Sequence, residues 1–372
     1  MQLTVMQTLP ALNVGGVERG TLEVAEELVK RGHRCIVVSA GGALVKELQD
    51  MGSKHITLSI GKKSPLTLRH IPKLRQLIKQ HGVNVLHARS RLPGWISYLA
   101  WRGMQHRQRP RFVTSVHGPY TVGPYSKVMT YGECVIAISD FIHNYILINY
   151  PQTNPDKITV IPRGVSNEKY PYGYQPDGEW LAQWQQQQPQ LRGKFLITLA
   201  ARITRWKGQE DFILIIDALK SAGINVHGLI VGGPPPKRQT FYQELKNKVS
   251  AMELDNHISF LGHRNDIREI VSISGLVLSL AKEPEAFGRT ALEALSLGIP
   301  VIAYDHGGAA EILRAILPAG LIAPHDISAA INLITRFHHH TPVVPDQNPF
   351  TLQRMLDRTL DLYEMMVAGD QP

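Results

Sequence analysis

Two cysteines in 372 residues leave no room for a disulfide framework and too few thiolates for a metal cluster. Cys35 in CIVVSA and Cys134 in CVIAIS both lie in apolar, strand-like runs, the setting of reduced core residues in a cytosolic protein. No apolar run is long enough to cross a bilayer, and the opening MQLTVMQTLPAL lacks a basic region followed by a long apolar one. The expectation is a cytoplasmic protein, soluble or peripheral on the inner face of a membrane. No two aspartates are separated by a single position, so an Asp-x-Asp metal motif is absent. Zinc-finger and RNP-type motifs are absent too, and nucleic acid is not expected as a partner.

Acid is scarce in the first part of the chain. Residues 1 to 150 carry 19 Lys+Arg against 8 Asp+Glu, a net +11, whereas the remainder has 21 against 23, a net −2. Such a field attracts an anionic partner, whether nucleic acid, a phosphorylated lipid or an anionic membrane surface, nucleic acid being the weaker choice without its motifs. Within GKKSPLTLRHIPKLRQLIKQHG, Lys62, Lys63, Arg69, Lys73, Arg75 and Lys79 punctuate a helical repeat of Leu68, Ile71, Leu74 and Ile78. This predicts a basic amphipathic helix. It suits a solvated face and a membrane-contacting one about equally.

What the chain has in abundance is alternation. LTVMQTL, a helix over residues 17 to 31, RCIVVSA, VNVLHA, RFVTSVH and CVIAIS read as strands separated by helices, which implies parallel sheets with crossover helices. Pro and Gly then cluster in ITVIPRGVSNEKYPYGYQPDG, after which KFLITLAARI, NVHGLIVGG, HISFLG, GLVLSLA and PVIAYD resume the pattern. Two doubly wound, Rossmann-like α/β domains joined near residues 162 to 175 are predicted, facing across a cleft that collects the carboxyl ends of both sheets. The boundaries expected are 1–165, 166–350 and a last helix, 351–372, packing back on the first domain. The run His338 to His340 reads as loop surface, and Gln185 to Gln188 as the exposed end of a helix.

Three turns carry candidate chemistry. In NVGGVERG, Gly15 and Gly16 would let backbone N–H groups approach a phosphate at a helix start, although GGxxxG is not the dinucleotide fingerprint and no nicotinamide cofactor is expected. In AARITRWKGQEDF, Arg202 and Lys207 lie five apart across a turn ending in Gly208, a spacing able to set a guanidinium and an ammonium around one diphosphate. In EPEAFGRTALEAL, Glu285 precedes a helix whose first N–H groups belong to Phe287, Gly288 and Arg289, and Glu293 falls about two turns inside. Eight helical residues advance about 12 Å, enough for the two acids to reach opposite ends of one elongated ligand. A sugar nucleotide fits that layout; so does a dipole-favoured acid followed by a surface Glu.

The stretch EAFGRTALEALSLGIPVIAYDHGGAAEIL resembles the donor-binding region of retaining glycosyltransferases of family 4, which have the GT-B fold. RITRWKG resembles that family's diphosphate motif, and GGVERGTLEVAEELVKRGH its N-terminal loop and helix; VIAISDFIHNYI, ITVIPRGV, LIVGG and ISFLGHRNDI fall in the family's order. The form PEAFGRT is similar to the lipopolysaccharide-core branch. The resemblance implies that Glu285 binds donor-sugar hydroxyls, Glu293 the ribose, and Arg202 with Lys207 the diphosphate. It places His117, in SVHGPY, near the reacting sugar, and base contacts around residues 262 to 264. Ala201 stands where a Gly is usual, and Arg163 replaces the linker's frequent Asn.

The implied activity is transfer, with retention and without a metal or other cofactor, of a sugar from a nucleotide-diphosphate sugar to a lipid-linked or lipopolysaccharide-core glycan acceptor. Other occupants of the same scaffold are a sugar-nucleotide epimerase, which needs no acceptor, and a non-enzymatic two-domain solute-binding protein. A glycoside hydrolase would place two carboxyls across the scissile bond at roughly 5 to 9.5 Å, whereas this pair suits binding better.

Overall fold

The computed structural model describes residues 1–13, 15–235 and 239–369. The chain divides into two compact units, Met1–Pro162 with Gln353–Pro372, and Arg163–Leu352.

The first unit is built on seven strands, β1 (Thr4–Thr8), β2 (Arg34–Ser39), β3 (Lys54–Thr57), β4 (Val85–Ala88), β5 (Arg111–Val116), β6 (Cys134–Ala137) and β7 (Ile158–Val160). All pair in parallel in the order β3-β2-β1-β4-β5-β6-β7. Helices cover both faces, so β1 and β4 are buried at every position and read as apolar runs rather than as an alternation. Val5 of β1 lies between Cys35 of β2 and Val85 of β4, and the strand order reverses at β1 and β4. Met6, Ile36, Val38, Leu86 and Phe112 form the core of this sheet with Leu74, Leu77 and Ile78.

The basic stretch contains less helix than its periodicity suggests. Ser64 accepts a hydrogen bond from the Leu66 amide, and Pro65 opens a 3₁₀ turn, Pro65–Arg69. The α-helix runs only over His70–Gln80, burying Leu74, Leu77 and Ile78. Leu68 therefore does not join the buried stripe: in a 3₁₀ turn the side-chain repeat is three residues, and Leu66 and Leu68 are left 69% and 52% exposed.

The helix Leu352–Ala368 closes the described chain and buries Leu356, Leu360 and Tyr363. The Tyr363 hydroxyl lies 2.6 Å from His87 Nδ1 on β4, whose Nε2 is 2.7 Å from Ser115 Oγ on β5. Asp357 on the same helix pairs with Arg31.

The second unit repeats the design with β8 (Phe195–Ala200), β9 (Val226–Val231), β10 (Ile258–Gly262), β11 (Leu276–Ser279), β12 (Val301–Tyr304) and β13 (Leu321–Ile322) in the order β10-β9-β8-β11-β12-β13. The core joins Ile197, Leu199, Ile230, Leu278 and Ile302 to Phe212, Ile216 and Phe337 from the covering helices. His338 and His339 are not loop residues: they form the last turn of the helix Ile327–His339, because Ala330, Leu333, Ile334 and Phe337 carry the buried stripe up to the histidines. Among the described residues no helix is long and apolar enough to cross a membrane.

Candidate active site

In the second unit the strand order reverses at β8 and β11, and three loops leave the carboxyl ends of β8, β11 and β12 around that point. The first, residues 201 to 208, ends in Gly208 at φ 79, where an added Cβ would lie 2.0 Å from the Leu280 carbonyl oxygen. Both the left-handed conformation and the contact demand glycine. The helix Gln209–Ser221 starts there without a side-chain cap, leaving its first amides to other acceptors.

Lys207 Nζ lies 2.6 Å from Glu285 Oε1 in the second loop, with side chains only 13% and 15% exposed. The ammonium also sits 4.3 Å from the centre of the Trp206 ring. Arg202, by contrast, is exposed, and among the described residues it makes no ion pair; its carbonyl accepts from Gln209 Nε2 at 3.1 Å. Thr204 Oγ1 in the same loop and Gln209 Oε1 at the helix start are buried without a hydrogen-bond partner among the described residues.

Glu285 and Glu293 do not share a helix. The helix is Arg289–Ser296, so Glu285 belongs to the preceding loop and Glu293 lies just over one turn inside. Gly288, at φ 85, turns the chain into it, and a Cβ there would come within 2.7 Å of Ala309 Cα. The Phe287 ring is buried edge-on against Phe350, so this residue can offer a ligand only its backbone. Glu293 is not a surface residue: it is buried, its Oε1 is 3.0 Å from Arg289 Nε, and Tyr170 hydrogen-bonds it. Burial first, and then the neighbouring Glu293 charge, raise the Tyr170 hydroxyl above the ordinary tyrosine range.

The second loop also touches the third. The Gly308 amide donates to the Glu285 carbonyl at 2.8 Å, and His306 Nε2 lies 2.7 Å from the Ala281 carbonyl. The helix Gly307–Ile316 that follows is again without a side-chain cap. Near the base-contact stretch, Arg264 binds Asp266 through two nitrogens, and Trp180 Nε1 donates to the same carboxylate.

The remaining sequence candidates lie in the first unit. Gly15 caps the helix Gly16–Lys30 in an extended conformation, φ 173, that any residue adopts. The Glu18 carboxylate folds over it, 2.3 Å from where a Cβ would stand, so an anion approaching Gly15 would meet a negative charge. Nothing crowds Gly16. His117 follows β5, half-buried, and its amide donates to the Tyr120 hydroxyl at 3.2 Å.

One group of residues escaped the sequence. Asp211, Lys282, Tyr304 and His325 meet near the same loops, with Lys282 Nζ 3.1 Å from Asp211 Oδ1 and the Tyr304 hydroxyl 2.8 Å from Oδ2. A signal for it existed: Asp211 is an acid on the same helix stripe as Ile215 and must find a partner when buried.

Two parallel α/β domains of this topology, with helix starts lacking side-chain caps and cationic side chains at one switch point, form a scaffold suited to an anionic ligand. The profile of Glycosyltransferase Family 4 matches residues 14–169, and that of Glycosyl transferases group 1 matches residues 182–346. A glycosyltransferase from Rickettsia africae is 30% identical, with a TM-score of 0.86 and 99% of each chain covered. The chain therefore belongs to the GT-B glycosyltransferases, and it is an enzyme of that class. The Anabaena protein HepE, solved in complex with UDP and glucose, shares the fold at 19% identity and a TM-score of 0.81, covering 98% of this chain and 100% of that one. Similarity to lipopolysaccharide-core enzymes includes the core biosynthesis mannosyltransferase LpsB of Rhizobium meliloti, 28% identical over 143 residues, 38% of this chain and 40% of that one.

Proposed function

We propose that the protein is a retaining, metal-independent glycosyltransferase that moves a sugar from a nucleotide-diphosphate donor to a lipid-linked or lipopolysaccharide-core glycan. The observation that carries this reading is the Lys207–Glu285 pair, held 2.6 Å apart beside an uncapped helix start. The binding of UDP and glucose by the Anabaena neighbour supports a sugar-nucleotide donor.

As the bond from the anomeric carbon to the diphosphate breaks, negative charge grows on the phosphate and positive charge on the ring. Lys207, Arg202 and the amides at the starts of the helices Gln209–Ser221 and Arg289–Ser296 would stabilise the leaving group, the part a metal plays elsewhere. Lys207 then exchanges Glu285 for phosphate, which frees the carboxylate to accept hydrogen bonds from sugar hydroxyls. Glu293, steadied by Arg289 and Tyr170, holds the ribose. The acceptor oxygen attacks the face from which the diphosphate departs and gives its proton to the departing phosphate, with His117 beside the reacting sugar. No covalent nucleophile is required.

The acceptor side is read from charge. Residues 51 to 132 contain fourteen Lys and Arg and no Asp or Glu. Lys62, Lys63, Arg69, Lys73 and Lys79 are exposed there beside Leu66 and Leu68, the combination of cations and apolar side chains suited to an anionic membrane or a phosphorylated lipid acceptor. Peripheral attachment to the inner face of a membrane would follow.

The test is a panel of UDP-, GDP- and ADP-sugars scored by thermal stabilisation, followed by a transfer assay in excess chelator. One nucleotide class should raise the melting temperature, and transfer should persist with the anomeric configuration kept. Turnover restored only by Mg²⁺ or Mn²⁺, or an inverted product, would overturn the corresponding part of the proposal.

A further inference from the structure

Asp211 stands in the first turn of the helix Gln209–Ser221, four residues after Lys207, with a side chain only 9% exposed. Its two oxygens are taken from two different directions. Oδ1 receives Lys282 Nζ at 3.1 Å, and Oδ2 receives the hydroxyl of Tyr304, at the end of β12, at 2.8 Å. His325 Nδ1 approaches Oδ2 at 4.0 Å, and Glu210 approaches Lys282 at 3.4 Å. Tyr304 is 1% exposed, and its hydroxyl is raised above the ordinary range, first by burial and then by the Asp211 carboxylate that it serves. The titratable groups around this carboxylate are therefore Lys282, Glu210, His325 and Tyr304, the last donating through its hydroxyl.

Lys282 lies three residues before Glu285 on the same loop, and its backbone amide donates to the Trp206 carbonyl at 2.7 Å, one residue before Lys207. One end of the Lys207–Glu285 pair is thus tied to Asp211 through the turn at Gly208 and the first residues of the helix, and the other to Lys282 through three residues of loop. His306 adds a clasp at the neighbouring Ala281 carbonyl. A buried carboxylate is costly to leave without its partners, so the three elements are held in one arrangement rather than loosely associated.

We propose that Asp211 is a positioning residue for sugar transfer: with Lys282 and Tyr304 it fixes the loop bearing Glu285 against the helix start bearing Lys207. It touches neither donor nor acceptor. It acts by setting where an ammonium and a carboxylate stand relative to the reacting bond, and displacements of about 1 Å at such a pair are costly in the transition state. The role rests on the donor-site reading of Lys207 and Glu285.

The experiment uses the full chain and the sugar nucleotide that most raises the wild-type melting temperature. Asp211→Asn keeps the volume and removes the charge, Lys282→Met removes its partner, and Tyr304→Phe removes one hydrogen bond, so that at least one folded variant is available. Each is expected to lower kcat by about tenfold or more while donor KM moves less, Tyr304→Phe being the mildest. The deciding measurement is the double variant Lys207→Ala/Asp211→Asn. If Asp211 works through the pair, Asp211→Asn slows Lys207→Ala by much less than it slows the wild type, because one of the two groups being positioned has already gone. Wild-type kcat in folded Asp211→Asn and Tyr304→Phe, or a double variant slower by the product of the two single losses, would overturn the proposal. Wild-type kinetics in Lys207→Ala alone would instead overturn the donor-site reading beneath it, which keeps the two failures apart.

Discussion

The two units share a strand order and differ in how they handle charge. In the first, β3-β2-β1-β4-β5-β6 is followed by β7; in the second, β10-β9-β8-β11-β12-β13 repeats the same path with one strand fewer. Yet the first carries an acid-free stretch over residues 51 to 132, in which Lys62, Lys63, Arg69, Lys73 and Lys79 face solvent. In the second, opposite charges meet around the switch point as Lys207–Glu285, Arg289–Glu293 and Lys282–Asp211. One topology thus serves two electrostatic purposes. Unpaired surface cations act at long range and are weakened by salt, whereas half-buried pairs act at short range and resist it.

The largest effect should come from the paired side. Lys207→Ala removes the ammonium from the developing phosphate charge and leaves Glu285 without its partner. Loss of one such electrostatic donor costs about a hundred- to a thousandfold in kcat. Glu285→Gln should likewise lower kcat by more than it weakens donor binding, since orientation of the sugar matters most in the transition state. Steady-state kinetics decide: near-normal kcat in both variants would leave the pair a structural ion bridge.

The unpaired side predicts a different kind of sensitivity. With each cation near an anionic surface contributing about 1 kcal/mol, Lys62→Glu/Lys63→Glu/Lys73→Glu should weaken binding to anionic vesicles by about a hundredfold or more. Added salt should weaken wild-type binding in the same direction. Co-sedimentation with anionic and neutral vesicles tests this, and equal binding to both would remove the contrast between the two units.

How much of this could be read from the chain depends on distance along it. Buried parallel strands announce themselves as runs such as FLITLA and VHGLIV, and Gly208 and Gly288 mark helix starts because no other residue fits there. β3 was illegible because KHIT is four residues long and half-exposed, and β13 because it has only two residues. Glu285 was legible as an acid before a helix and Glu293 as one inside it, but the start at Arg289, which puts Glu293 just over one turn in rather than two, was not. Asp211, Lys282 and Tyr304 meet across 71 and 93 positions, and each alone is unremarkable; only the fold brings them together. The outward turn of Leu66 and Leu68 depends on a 3₁₀ segment that an apolar repeat does not distinguish from α-helix.

Glu293→Gln sharpens the comparison within the paired unit. The carboxylate is held by Arg289 and Tyr170; if it meets the ribose, as proposed, its loss should chiefly raise the donor KM. A hydrogen bond to a charged group is worth about 1.5 to 3 kcal/mol, which gives a KM change of about ten- to a hundredfold. A kcat loss as large as that of Glu285→Gln would erase the division of labour between the two acids.

The smallest effect expected concerns pH and again separates the units. In the first, His55, His70 and His81 are lowered by partial burial. In the second, His227 on β9 is fully buried, with Nε2 2.9 Å from Ser259 Oγ and Nδ1 3.5 Å from Lys194 Nζ. Burial first, and then the Lys194 charge, lower its pKa from 6.5 to about 4. Protonation is therefore harder in the folded chain than in the unfolded one. The contribution is fully present above the unfolded value of 6.5; as pH falls below it the unfolded chain takes up a proton that the folded chain refuses, and stability declines until about 4. Between pH 6.5 and pH 5 the loss should be about 1 to 2 kcal/mol, the lower figure allowing for solvent screening of Lys194. His227→Gln lowers stability at every pH through the lost Ser259 contact, but its melting temperature should fall less steeply over that interval than the wild type's. Parallel slopes in the two proteins would show that the acid sensitivity resides in other groups, those of the first unit among them.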